Sequence, residues 1–424
     1  MITKFLKKYL DNFKGFSRDV KILALTTFIN RAGTMVVPFL SKYMRETLSF
    51  SLGQIGWVMV CFGLGSILGT WLSGKLSDRI GFYKVMIFSL FTSGLIFIML
   101  QFIHSFEGFC LGVFLLTSIA DMYRPAMLVS LETYAKISER TQAFALVRSA
   151  VNLGFLFGPI LGGLIIMSLG CNYIFYVDGL SCIFSVVLFW VFIKEKKLPF
   201  KLKEFKVQNA NKEYPILKDR LFLIHLLVTM ITGILFFQIF TTLPLYYKDV
   251  FNLTEFQCGM FLALNGLIVL LFELPLVKYV EKYNINRLLI VSYGILSMAI
   301  SYLILVLHHD IVMLILMMVF MTIGVMLTFP FANDFARNRT HKKLKGKFMA
   351  VFTLSYSIAH IISSKSGMEI IQKYGYNTNW MFLSLLGFIG FAIAFRLVFM
   401  VRNERYTKKN AIVKSIFIPN ENIK

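Results

Sequence analysis

Eight ionisable side chains stand singly inside long apolar stretches: Arg31, Asp121, Arg124, Arg148, Asp178, Glu273, His360 and Lys365. A charge at membrane depth costs on the order of a few kcal/mol, so each marks a candidate for function. A carboxylate or histidine placed there can take up and release a proton, and a guanidinium can hold a carboxylate or an anionic group of a solute. Asp121 and Arg124 are three residues apart and share one helix face. An adjacent cation holds the acid ionised until a conformational change separates them, which makes a proton switch. Arg31 lies about eleven residues from either end of its stretch, too deep to snorkel. It either binds an anionic group of a solute or keeps a nearby acid ionised. Glu273, two residues before Pro275, is a proton carrier or a gate acid. Asp178 and His360 are further proton-coupling candidates, each with a plainer reading as a hydrogen-bonded structural group. Arg124 and Arg148 either line the pathway or snorkel to the surface, and Lys365 pairs with Glu369 four residues on. The amides Asn30, Asn152 and Gln238 join Arg31 and Arg124 as candidate lining of a solute cavity.

Other chemistries lack their residues. There is no nucleophile–base or paired-carboxylate signature, no GxxxxGK[ST] phosphate loop and no metal-ligand spacing. Five cysteines fall singly and read as small apolar side chains, with Cys171 and Cys258 the one conceivable disulfide. The chain therefore reads as no enzyme and as holding no metal or cofactor, with a proton gradient as its energy source.

The elements that must position these groups are helices. The chain of 424 residues is 57% hydrophobic and 16% charged, with a mean hydropathy of +0.70. A soluble domain carries about 25% charged residues. Twelve apolar runs can each cross a bilayer core of about 30 Å as a helix. They cover residues 20–43, 53–73, 84–104, 108–130, 146–167 and 173–193, then 221–245, 256–277, 287–307, 311–331, 349–369 and 379–400. Alternating strands of a barrel are absent. The fold class is all-α, a polytopic membrane protein of twelve transmembrane helices.

The net charge of +22 is a topology signal, which removes nucleic acid as a partner. With the amino terminus on the cytoplasmic side, 36 of the 44 lysines and arginines fall in the termini and loops of that side, against 4 in the opposite loops. This bias puts both termini in the cytoplasm. Residues 1–19 form a basic amphipathic segment on the inner surface. The basic stretch 194–220 divides the spans six and six, so that 1–193 and 221–400 are two pseudo-symmetric six-helix bundles and 401–424 is a cytoplasmic tail. The halves echo each other: Pro125 aligns with Pro330, and GKLSDRIGFYK (74–84) with VKYVEKYNINR (277–287). Paired repeats around a midplane site are a transporter plan.

The stretch GKLSDRIGFYKV closely resembles the loop 2–3 signature of the major facilitator superfamily, G-x-L-x-D-R-x-G-R-K. Gly74, Asp78, Arg79 and Gly81 match it, Phe82 replaces a basic residue, and Lys84 stands one position past the signature's last basic residue. The resemblance implies a conformational gate that latches the cytoplasmic side. NLGFLFGPILGG (152–163) is similar to the span-five signature G-x-x-x-G-P-x-x-G-G of the drug–proton antiporters, through Gly154, Gly158, Pro159, Gly162 and Gly163. Small residues four apart let helices touch through their backbones. The span-four motif of that group, R-x-x-Q-G-x-G, is absent, and ADMYRPAM stands in its place. FINRAGTMVVPFLSKYM, YRPAM and AVNLG resemble segments of proton-coupled peptide symporters, without the glutamates of their span-one motif. Together these imply a proton-coupled transporter of a small organic solute in the inner membrane, acting as a monomer in the lipid bilayer. Efflux by proton antiport is the first expectation, and import of small peptides or a related nutrient by symport is the alternative.

Overall fold

The structure is a computed structural model that describes residues 16–136, 140–196, 218–307, 310–339 and 345–417. Most of the central basic stretch 194–220, most of the amphipathic segment 1–19 and the end of the tail 401–424 lie outside these residues. The described residues form helices and turns, with no strand among them.

The first six spans are built from α1 (Arg18–Ala32), α2 (Val36–Glu46), α3 (Leu52–Ile80), α4 (Phe82–Leu100), α5 (Phe106–Ala120), α6 (Tyr123–Tyr134), α7 (Arg140–Leu169) and α8 (Tyr173–Phe192). The rest are α9 (Arg220–Thr241), α10 (Leu243–Phe251), α11 (Glu255–Lys282), α12 (Arg287–Leu307), α13 (Ile311–Asn338) and α14 (Lys345–Phe417). Gly375, at φ +83°, splits α14 into two arms. Arg339 lies beside the start of α14 in the chain and bonds Glu404 near its end, so the chain reverses at Gly375. Among the described residues eleven stretches are long and apolar enough to cross a membrane. The last of these, Phe348–Glu404, holds both arms, which makes twelve crossings.

Three spans expected as single helices are broken. Span one breaks between α1 and α2, span four between α5 and α6, and the seventh between α9 and α10. Sequence chemistry explains where. Pro38, Pro125 and Pro244 sit in the first turn of each second segment. Proline has no N–H and its ring crowds the carbonyl four residues back, so the preceding helix stops at that point. Pro159, Pro275 and Pro330 lie inside helices that continue past them.

A break at membrane depth exposes backbone groups with no water to bond them. At span one the fully buried Asp178 of α8 meets this need. Its carboxylate accepts bonds from Met35 N at 2.9 and 3.0 Å and from Val36 N at 2.9 Å. An acid at a helix N-terminus also complements the dipole. The approach requires a bare backbone at Gly33, since a Cβ there would lie 1.8 Å from Ser181 Oγ.

Two starts of spans are signposted in matching places. Ser51 and Gln54 form a capping box at the start of α3, and Thr254 and Gln257 form another at the start of α11. These are the second and eighth spans. Helices up to α8 pack mainly among themselves, as do those from α9 on. The two groups meet along α7 with α11 and along α3 with α14. Removing the buried carboxylate in Asp178→Ala should cost about 2–4 kcal/mol, because two backbone donors lose their partner. The check is thermal unfolding of the purified protein; an unchanged melting temperature would show the cap to be dispensable.

Candidate functional site

The glycine-rich stretch of α7 packs against span one, whose residues line the cavity described next. Gly154, Gly158 and Gly162 form a stripe against span one: a Cβ at Gly154 would fall 2.4 Å from Arg31 Cβ, and one at Gly162 3.0 Å from Met35 Cβ. Gly163 points to the other neighbour, with a Cβ 2.6 Å from Glu255 O of α11, and Gly259 of α11 abuts Pro159 O at 2.3 Å. The stretch is thus a helix pressed between two spans, one from each group.

Next to span one lies a cavity of about 110 Å³ between α1, α2, α3, α4, α5, α6 and α8. Its polar lining includes Asn30, Arg31, Thr34, Asp121 and Tyr123, and its apolar side includes Val36. The breaks at spans one and four therefore open directly onto it. Arg31 is half-buried on the cavity wall and lies within electrostatic reach of Asp121 and Arg124. Its guanidinium carbon stands 5.9 Å from the Phe155 ring centre. Ser66 of α3 lies beside the Asp121 carboxyl. Tyr123 OH meets Thr27 Oγ1 at 3.1 Å, and Asn30 Nδ2 donates to Cys182 Sγ at 3.4 Å. Arg124, exposed and one turn from Asp121, faces Tyr356 on the first arm of α14.

The other candidates are placed elsewhere. Glu273 pairs with Arg148 across the seam between α7 and α11, and Asn152 lies beside it. That pair favours the gate-acid alternative for Glu273, and Arg148 reaches a partner acid. Gln238, expected in the cavity, is packed away: its Nε2 donates to Ser363 O at 2.9 Å, and its Oε1 accepts from Thr242. A buried amide needs such partners, and this one finds them inside its own group of helices. His360 is buried against the rings of Phe62 and Phe237, with centroids 5.0 and 4.6 Å away. Its Nδ1 has no hydrogen-bond partner, so ring contacts bridging the two groups hold it. Asp178 caps α2 and does not line the cavity. Lys365 pairs with Glu369 at 3.0 Å as expected, and all five cysteines are free. In the loop 2–3 motif Gly74, Asp78, Arg79 and Lys84 are exposed, and nothing approaches the Gly74 Cβ position within 4 Å.

The start of α1 and the loop 2–3 motif occupy one end of the bundle; the opposite end holds a closure that the sequence reading missed. Lys42, 2% exposed, pairs with Glu255 of α11 and, at 3.6 Å, with Glu46. Arg45 pairs with Asp249 at 3.3 Å, and Tyr376 OH donates to the same acid at 2.6 Å. Among the described residues these two ion pairs and Arg148–Glu273 join the two groups of helices. A local signal existed: Lys42 and Glu46 stand four apart at the end of a span. The distant Glu255 gave none.

The sequence profile of the Major Facilitator Superfamily matches residues 23–364. The chain is 22% identical over 93% of its length, and 98% of the relative's, to a Na(+), Li(+), K(+)/H(+) antiporter of Planococcus maritimus. It is 28% identical to the multidrug resistance protein MdtG of Salmonella paratyphi B, over 43% of this chain and 46% of that one. A solved POT family transporter in complex with 5-aminolevulinic acid shares the fold at a TM-score of 0.77 and 17% identity, covering 91% of this chain and 96% of that one.

Lys42→Met should destabilise the protein by about 3 kcal/mol, because Glu255 is left partly buried without its cation. Adding Glu255→Met should restore most of that loss. Melting temperatures of the two single variants and the double variant test the coupling, and additive losses would refute it.

Proposed function

The chain belongs to the Major Facilitator Superfamily, and from that membership we propose that it is a proton-coupled secondary transporter carrying a small organic solute by alternating access. It is a multi-pass membrane protein and no enzyme. The observation that carries the proposal is the cavity at the breaks of spans one and four, lined by Arg31 and Asp121, with Arg124 beside it within electrostatic reach of both. Charges kept at that depth need a use, and a carboxylate flanked by two cations supplies one. Asp121 is the proton carrier: when the halves rock, its access to water from either side changes while Arg31 and Arg124 stay beside it, and with that access the ease of taking up a proton. Glu273, committed to Arg148, serves the seam. The protein works as a monomer in the cytoplasmic membrane with both termini inside. In that orientation the ion pairs of Lys42 and Arg45 close the outer side, which supports an inward-facing arrangement.

The direction follows from how proton and solute interact. A solute that competes with the proton is exchanged for it, and this is the efflux by antiport that the span-five motif and the antiporter and multidrug relatives support. A solute that binds together with the proton travels with it by symport, the second reading, which the excess of cation in the cavity favours. In either case a proton moving down 100 mV releases about 2.3 kcal/mol, which biases a two-state rocking equilibrium by tens-fold.

Asp121→Asn should abolish solute accumulation driven by an imposed proton gradient in proteoliposomes while leaving solute exchange at equilibrium. Glu273→Gln should keep gradient-driven accumulation at a reduced rate. Full proton-driven accumulation by Asp121→Asn would remove Asp121 from the coupling role.

A further inference from the structure

The cavity and its immediate surroundings hold more positive charge than Asp121 answers: Arg31 lines the cavity and Arg124 stands just outside it. The Nε of Arg31 is buried with no hydrogen-bond partner. Among the described residues no carboxylate comes within ion-pair distance of Arg31 or Arg124. The neighbours on every packed element leave this balance unchanged. From α3 comes Ser66, beside Asp121. From α4 comes Ser93, beside Cys182 of α8. Tyr123 lies on α6, and Tyr356 of α14 faces Arg124. Asp178 is committed to the backbone of α2, Glu273 to Arg148 and Glu369 to Lys365. Two guanidiniums therefore face one carboxylate. The site carries one net positive charge when Asp121 is ionised and two when Asp121 is protonated.

We infer, granted the transporter reading, that the cargo is a small organic oxyanion held by Arg31 with Arg124, and that it binds together with the proton on Asp121. The guanidinium fork matches the paired oxygens of such a group. Val36, Val37, Leu40 and Phe62 offer the apolar body a wall. The volume of about 110 Å³ limits that body to a small one. Proton uptake by Asp121 removes the one negative charge that repels the anion, so acidification tightens anion binding. By reciprocity the bound anion also favours the proton. Two ligands that favour each other occupy the same state and cross together. A lipophilic cation meets the opposite field.

The test uses the full-length purified protein and three probes that keep their charge across the pH range: benzoate, benzenesulfonate and tetraphenylphosphonium. Binding is read by thermal shift and titration at several pH values between about 5.5 and 7.5, where benzoate stays ionised. One or both anions should bind, with Kd falling by up to about tenfold per pH unit on acidification, the limit for one linked proton. Asp121→Asn should bind the anion with no pH slope, and Arg31→Gln at least about tenfold more weakly, with Arg31→Lys restoring part of the loss. If Arg31→Gln does not fold, the lost slope in Asp121→Asn carries the test. Binding of tetraphenylphosphonium with no binding of either anion overturns the inference, as does no anion binding at all or anion affinity that weakens on acidification. A protein that binds anions in this manner but moves no solute under a proton gradient would end the transporter reading and leave the anion site standing.

Discussion

The first backbone N–H groups of α2 have no helical partner, and at their depth no water takes that place. The Asp178 carboxylate supplies the missing acceptors from a neighbouring span, and the geometry of the cavity follows from that contact. It anchors the break in span one, so Arg31, just before the break, and Val36, just after it, face the same space. A proline-driven break without a cap would leave donors unsatisfied at a cost of about 1–3 kcal/mol each. With the cap, span one can turn its backbone toward the cavity without unravelling.

The glycine stripe of α7 extends the same constraint. Arg31 can stand where it does because Gly154 has no side chain to displace it. The opposite edge of that helix meets α11 through Gly163 and Pro159, so the contact with the span that carries Arg31 and the seam between the two groups are two faces of one rod. Movement along the seam reaches Arg31 through that rod. The motif that suggested an export direction is, in physical terms, a packing device. It bears on how the halves touch and is indifferent to the sign of the cargo.

Much of the fold was legible because the membrane enforces it. Long apolar runs, the bias of lysines and arginines, and the loop 2–3 motif gave twelve spans, and the Lys365–Glu369 pair followed from spacing alone. The breaks in spans one, four and seven were missed, though Pro38, Pro125 and Pro244 were in view. What separates them from Pro159 or Pro275, which helices absorb, is tertiary: whether another span offers the freed groups a partner. The site was half legible. Arg31, Asn30 and Asp121 do meet, because isolated charges in apolar runs have few tolerable surroundings. Gln238 went the other way because an amide can be satisfied locally by Ser363 and Thr242. The Lys42–Glu255 closure joins residues more than two hundred positions apart, and no periodicity reports such a pair.

The distribution of satisfied and unsatisfied charge then separates the moving parts from the fixed ones. A ligand or a proton can shift a conformational equilibrium only through interactions that differ between its states. The Asp178 cap and the packed Gln238 lie within one group of helices, and rocking leaves them intact. The pairs Lys42–Glu255, Arg45–Asp249 and Arg148–Glu273 cross between groups, so opening at either end must break or re-hydrate some of them. Arg31 and Arg124 differ from both classes. Their charge is unmatched in the state observed, and a bound anion or a change at Asp121 alters it without breaking a structural contact. On the proposed transport cycle, chemistry in this cavity biases the pairs that join the two groups, while the contacts that hold each group together stay out of the cycle.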